Sequence, residues 1–341
     1  MKKVGFIVLV LIALVVIVGL AWQPVRDAVE ARAVSQREAP VTARIETLHG
    51  RVERDKELPG EPVVKVSMGT WEPYTENLLD ADLACLNDLT RLKDLDLHGR
   101  HVSDELLLRL TGGTGLERLE LGGTKITDTG LSVLTRFNGL RDLGLTRTGI
   151  SDAGLVHLQS LRELRSLDLS MTRITDAGLF KLKPIPKLQC LGLGFTSITD
   201  EGLSQLRELT ELESLFLTHT EIGDAGLGYL SSISRLKKLG LYDTKVTDAG
   251  LTHLKGLDSL EYLDLGKTQI TDAGLLHLRH FSRLRDLKLN GTQITDEGLV
   301  HLKAFRGLFE LEVRGTKVTK KAVTDLREAR PTVVVACDWG L

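Results

Sequence analysis

A phrase of 24 residues, opening Thr-x-Ile-Thr-Asp-Ala-Gly-Leu and closing Leu-x-x-Leu-x-Leu, recurs without insertion through most of this 341-residue chain. Threonine marks its phase at 124, 148, 172, 196, 220, 244, 268, 292 and 316, while Arg100 and Glu76 hold the same position in two divergent units upstream. A fixed period of about 20–50 residues is the signature of a solenoid, in which each unit buries its apolar face against its neighbours because it cannot do so alone.

Within the unit Thr148 to Met171, the tail Leu164-Arg-Ser-Leu167-Asp-Leu169 alternates as a strand does, sending Leu167 and Leu169 to one face. The front half keeps leucines at 155, 158 and 161, near the helical period, which makes one apolar stripe. A Ser/Thr-Asp pair such as Ser151-Asp152 or Thr271-Asp272 precedes each helix and offers oxygens to its first free N–H groups. In the unit starting at Thr220 the hydroxyl is lost to Gly223, which leaves Asp224 to cap alone.

The combined pattern Leu-x-x-Leu-x-Leu-x-x-Thr-x-Ile-Thr-Asp-Ala-Gly-Leu resembles the leucine-rich repeat, in the variant common in bacterial proteins and similar to ribonuclease-inhibitor-type and F-box-associated repeats. The resemblance implies an α/β solenoid, curved, with parallel strands on the concave face and helices on the convex face. One departure is systematic: the family's usual Asn after the strand, which hydrogen-bonds inside the turn, is Thr here, whose hydroxyl is expected to serve while its methyl packs inward.

The expected layout is ten repeats over 76–315 between an N-terminal cap over 41–75 and a C-terminal cap over 316–341. In the last unit Lys320 and Ala322 replace the Asp and Gly, Lys320 to Arg330 reads as an amphipathic helix, and Thr332 to Cys337 falls in phase as a final strand. Upstream, Val41 to Leu48 reads as helix and Val63 to Met68 as a first strand, while Gly69 to Thr75, with Trp71, Pro73 and Tyr74, breaks the phase as a covering loop.

After a tip of Met1, Lys2 and Lys3, residues 4–22 contain no charge and are rich in Val, Leu and Ile. About 19 helical residues span a bilayer core, and the flanking lysines place the tip in the cytoplasm and the repeats outside it. The expectation is therefore one transmembrane anchor and a single-pass protein, with 23–40 as a linker or helical extension. Gly19-x-Ala21 offers a cleavage site after Ala21 that would make the product secreted.

Composition bears on what such a scaffold binds. A net charge of -2 and a pI near 6.5 argue against a nucleic-acid surface. Cys190 lies four rungs from the row nearest Cys85 and six from Cys337, about 19 and 29 Å at strand spacing, beyond the reach of a disulfide. His157, His253, His277 and His301 share one repeat position, but helices packed about 8–10 Å apart cannot converge them on one ion at a bond length of about 2 Å. Gly192-Leu-Gly194 lacks the third glycine of a dinucleotide loop, and Gly112-Gly113-Thr114-Gly115 lacks the Lys-Ser/Thr of a phosphate loop. Asn290-Gly291-Thr292 is an acceptor sequon arising in repeat phase. No nucleophile–base pair is recognisable, so catalytic residues, metal, cofactor and small-molecule substrate are not expected.

The outward side chains of the strands then form the grid on which recognition depends. Asp94, Asp96, Glu120, Asp142 and Asp168, with His98 beside them, outnumber Arg118 and favour a basic partner. Phe195, Phe216, Tyr242 and Tyr262 come from four successive rungs, with His219, Lys238 and Asp264 among them, and resemble an interface hot spot. Glycines at 122, 144, 192, 194, 240 and 266 are expected to leave the grid shallow, a groove for a protein or peptide. The expected function is a non-enzymatic scaffold binding a protein or peptide ligand. A self-associating envelope protein is the second possibility, and an adaptor resembling F-box-associated repeats is disfavoured because 23–75 shows no F-box-like module.

Overall fold

The computed structural model describes the backbone of residues 2–70, 80–112 and 115–339, and the side chains of 22–70, 82, 84–112 and 115–339. A helix α1 (Lys2–Thr47) runs through Pro24 and Pro40 and ends against the first rung. Strands β1 (Arg51–Arg54) and β2 (Val63–Ser67) follow as an antiparallel pair. From there each repeat adds one short strand: β3 (Asp94–Asp96), β4 (Arg118–Glu120), β5 (Asp142–Gly144), β6 (Ser166–Asp168), β7 (Cys190–Gly192), β8 (Ser214–Phe216), β9 (Lys238–Gly240), β10 (Tyr262–Asp264), β11 (Asp286–Lys288), β12 (Glu310–Glu312) and β13 (Val334–Ala336). Among the described residues the strands form a single 13-stranded sheet in sequence order, parallel from β2 onward.

Register is unbroken along the repeats. Leu143 pairs with Leu167, Leu167 with Leu191 and Leu191 with Leu215, so the inward leucines stack in one file. Between strands the chain returns through short α or 3-10 turns whose leucines close the other side of the same core; Leu155, Leu158 and Leu161 are fully buried.

Three side chains of the repeat phrase do most of the positioning. The phase-marking threonines from 124 to 292 are buried and Thr316 is half-buried, and each donates its hydroxyl to the carbonyl three residues earlier, as Thr148 does to Leu145 at 2.6 Å and Thr268 to Leu265 at 2.6 Å. The next threonine caps its helix: Thr175 Oγ1 accepts from Ala177 N–H, and Thr271 Oγ1 from Ala273 N–H. The aspartate, however, does not cap its own helix as expected. Asp152 reaches up to the following rung, where Oδ1 accepts Thr175 N–H at 2.9 Å and Oδ2 accepts Thr175 Oγ1–H at 2.6 Å. The same pair of bonds joins Asp128 to Ser151, Asp224 to Thr247 and Asp272 to Thr295. Asp224 therefore serves Thr247, and the helix behind Gly223 carries no side-chain cap.

The glycine of the repeated phrase completes this ladder. A Cβ on Gly178 would lie 2.3 Å from Asp152 Oδ1, and one on Gly202 would lie 2.2 Å from Asp176 Oδ1. The glycine is where the preceding rung's carboxylate passes.

The residue just before each phase-marking threonine turns with positive φ. Gly99, Gly123, Gly291 and Gly315 occupy this position near the ends, whereas Arg147, Met171, Phe195, His219, Asp243 and Lys267 occupy it in six consecutive central rungs, with φ between 52 and 58°. Each L side chain there costs about 1–2 kcal/mol of backbone strain.

The ends are closed by specific polar contacts. Val41, Ile45 and Leu48 bury the end of α1, and buried Glu38 accepts from Val63 N–H at 2.9 Å and from Arg54 at 3.1 Å. Arg100, standing where later repeats have threonine, sends its guanidinium back to the carbonyls of Met68 and Leu48. At the other end the helix Lys320–Ala329 precedes β13, and Arg330 reaches the carbonyls of Phe305 and Arg306. Among the described residues no helix is long and apolar enough to cross a membrane; the expected anchor at 4–22 has its side chains up to 21 outside them, as the expected loop residues Trp71, Pro73 and Tyr74, and Glu76, also lie outside them.

Candidate functional site

Strand pairing puts the outward residues into two straight rows, Asp94, Arg118, Asp142, Ser166, Cys190, Ser214, Lys238 and Tyr262 in one, and Asp96, Glu120, Gly144, Asp168, Gly192, Phe216, Gly240 and Asp264 in the other. Parallel strands stand about 4.8 Å apart, so each row is a ruler of side chains at that interval.

The six glycines expected to leave this grid bare do not all do so. At Gly144 an added Cβ would overlap the Glu120 carboxylate, and at Gly192 it would lie 2.4 Å from Asp168 Oδ1. At Gly240 it would meet Phe216 Cδ1 at 2.9 Å, and at Gly266 it would meet Tyr242 Cδ2 at 2.6 Å. Side chains on this face lean toward the next rung, and the glycine there receives them. Gly192 of the Gly-Leu-Gly sequence thus makes room for a carboxylate of its own chain, while Gly113 and Thr114 of the other glycine-rich stretch lie outside the described residues.

The aromatic residues come together as a ladder. The Phe195 and His219 rings stack at 4.3 Å between centroids, and His219 meets Tyr242 at 6.0 Å. His219 Nε2 lies 3.0 Å from Asp243 Oδ2, and Lys267 sits over the Tyr242 ring at 5.3 Å. Phe195 is 49% exposed despite its strained turn position. Tyr262 lies farther along, under Lys288 at 5.7 Å, with its hydroxyl 3.5 Å from Asp264. Burial first, then the Asp264 charge, pushes the Tyr262 phenol up to about 12, and burial also raises the Asp264 carboxyl, against the Gly266 N–H that it accepts. Lys238 stands on β9 between Ser214 and Tyr262.

Part of the acidic set reaches the aromatic set. Asp142, Asp168, Glu120 and Arg118 line a depression of about 310 Å³ together with Cys190 and Phe216. Burial holds the Glu120 carboxyl above its usual range, opposed by Arg118 and reinforced by Asp96 and Asp168, and burial likewise raises Asp94 and the Cys190 thiol. His98 Nδ1 is 2.7 Å from Asp96 Oδ1, next to β4. Glu120, Asp142 and Asp168 of the acidic set therefore share one depression with Phe216 of the aromatic set, while Asp94, Asp96 and His98 are not part of its lining.

Other sequence candidates are absorbed by structure. The side-chain amide of Asn290 in the sequon is held by Glu312, and its carbonyl accepts Arg314 N–H at 2.8 Å. Cys85, Cys190 and Cys337 are free thiols. Among the described residues no three His, Cys, Asp or Glu side chains are placed to hold a metal ion, the histidine column included. What the sequence reading missed is the turn row of Arg147, Met171, Asp243 and Lys267; the signal was present in the replacement of glycine by large residues, over six consecutive rungs, at the position before the threonine.

A leucine-rich-repeat family model matches residues 115–134, 160–183, 257–278 and 283–302, so the repeated unit is a leucine-rich repeat. Among solved structures, an internalin of Listeria monocytogenes is similar over 88% of this chain and 94% of its own at 22% identity, with a TM-score of 0.55. An internalin C2 of the same organism covers 62% of this chain and 83% of its own at 26% identity, TM-score 0.47. A leucine-rich-repeat protein of Leptospira interrogans covers 76% and 80% at 16% identity, TM-score 0.47. No curated protein sequence matches the chain.

Proposed function

We propose that this leucine-rich-repeat solenoid is a non-enzymatic, membrane-anchored scaffold that presents its strand face to a protein or peptide outside the cytoplasm. The observation that carries the reading is the ladder Phe195–His219–Tyr242, flanked by Phe216 and Tyr262, on a backbone whose register is fixed rung by rung. Aromatic anchors on a preorganised surface lose little rotamer freedom on binding, which is why such clusters dominate interface energetics. The depression beside Phe216, open and lined by carboxylates, suits a polar side chain of a larger ligand better than a buried small molecule.

Anchoring rests on the charge-free run 4–22 behind Lys2 and Lys3. Fractionation with N-terminal sequencing tests it: membrane-bound, uncleaved protein digested from outside intact cells is expected, whereas soluble protein starting at Trp22 means a secreted product and protease-protected repeats overturn the orientation.

The binding face is tested with a photo-crosslinking residue placed at Phe216 or, as a control on the opposite face, at exposed Val300. Adducts to one protein from the Phe216 position alone are expected; adducts from Val300 alone contradict the reading.

A further inference from the structure

Six consecutive rungs, from Arg147 to Lys267, hold large side chains in the left-handed turn position where the flanking rungs at 99, 123, 291 and 315 use glycine. Packing does not require them: Met171 is 46% and Phe195 49% exposed. A strained backbone carrying exposed side chains marks a site where the side chain matters more than the conformation it demands. The row forms a ridge along one rim of the strand face, apolar at Met171 and Phe195, with His219 stacked on Phe195, and charged at both ends by Arg147 and by Asp243 and Lys267.

We propose that Met171, Phe195 and His219 seat a basic amphipathic α-helix of a partner protein; this rests on the reading that the strand face binds polypeptide. Spacing selects the helix. Two rung intervals from Met171 to His219 cover about 9.6 Å. Two turns of an α-helix advance about 10.8 Å, so residues at i, i+3 or i+4, and i+7 meet three successive rungs with about 1 Å of mismatch. Alternate residues of an extended strand, about 6.7 Å apart, drift by about 4 Å over the same interval.

Charge selects its flank. Three residues back along the same rungs as Met171, Phe195 and His219 lie Asp168, Gly192 and Phe216, which line the depression that Glu120 and Asp142 make acidic and Arg118 only partly neutralises. A helix on the ridge turns its neighbouring positions toward that depression, and lysine or arginine there meets the carboxylates of Glu120, Asp142 and Asp168 beside the single guanidinium of Arg118.

The test is selection of a displayed library of random 16-residue peptides on the full chain, followed by affinity measurement on the Met171→Gly, Phe195→Gly pair. Recovered peptides are expected to space apolar residues at i, i+3 or i+4, and i+7 with Lys or Arg between them. The glycine pair is expected to bind them at least tenfold more weakly without a fall in Tm. Peptides with alternating patterns, peptides without basic residues, or undiminished binding to the glycine pair overturn the proposal. If binding survives the glycine pair but is lost on Phe216→Ala, the strand-face reading stands and the helix inference falls; recovery of no peptide overturns both.

Discussion

The Asp152 carboxylate accepts both the backbone N–H and the hydroxyl of Thr175, at 2.9 and 2.6 Å, and so ties one repeat to the turn of the next. Thr175 in turn caps its own helix through Ala177 N–H, which makes a continuous polar seam along the edge of the solenoid. In a stacked repeat protein stability resides largely in such nearest-neighbour terms.

Asp152→Ala is expected to cost about 2–4 kcal/mol, since hydrogen bonds to a charged group contribute about 1.5–3 kcal/mol each and these are only part-buried. Asp200→Ala is expected to cost about half of that, because Gly223 offers Asp200 its N–H at 2.7 Å and no hydroxyl. Urea midpoints of the two variants check the ratio; equal losses contradict the seam.

Gly178→Ala sets helix propensity against the seam. Alanine gains about 1 kcal/mol in a helix interior, but its Cβ would stand 2.3 Å from Asp152 Oδ1 and displace the carboxylate. A net loss of about 1–3 kcal/mol is expected from the lost bonds. In an Asp152→Ala background the same change becomes neutral or stabilising, and a double-mutant cycle reads the difference.

Leu215→Ala removes a fully buried side chain from the stacked leucine file and is expected to cost about 2–5 kcal/mol through the cavity it leaves. Its neighbour Phe216 points out of the same strand, and Phe216→Ala is expected to shift stability by less than about 1 kcal/mol, in the range of surface substitutions. Thermal unfolding of the pair checks the register of β8.

Glu120 gives a pH signature. Burial raises its carboxyl, so from about pH 4.3 upward the folded chain binds more protons than the unfolded chain until the folded value is passed. Stability from this group therefore falls as pH rises through that window and is unpenalised below it. Glu120→Gln is expected to unfold at higher temperature than the wild type at pH 7, with the advantage gone at pH 4. A variant less stable at pH 7 contradicts the assignment.

The solenoid was legible because its determinants are local: the 24-residue phase, the strand alternation around Leu167 and Leu169, and the capping hydroxyls of Thr175 and Thr271 all lie within one unit. The role of Asp152 was not, since its partner Thr175 is 23 residues away and adjacent only after stacking. The same geometry hid the surface. Gly192 reads as an empty grid point until the lean of Asp168 across the rung gap is known, and Phe216 reads as part of a separate aromatic patch until the depression joins it to Asp142. Left-handed φ at Phe195 left a trace, the glycines at 123 and 291 in equivalent positions, that side-chain periodicity alone does not bring out.

The most direct measurement is the affinity of the protein crosslinked from Phe216, titrated against the wild type, Phe216→Ala and His219→Ala, with Val300→Ala as the opposite-face control. Losses of tenfold or more are expected for both strand-face variants, about 1.4 kcal/mol or greater, with an unchanged affinity for the control. Unchanged affinity for both strand-face variants, or a loss confined to Val300→Ala, would contradict binding through the aromatic ladder.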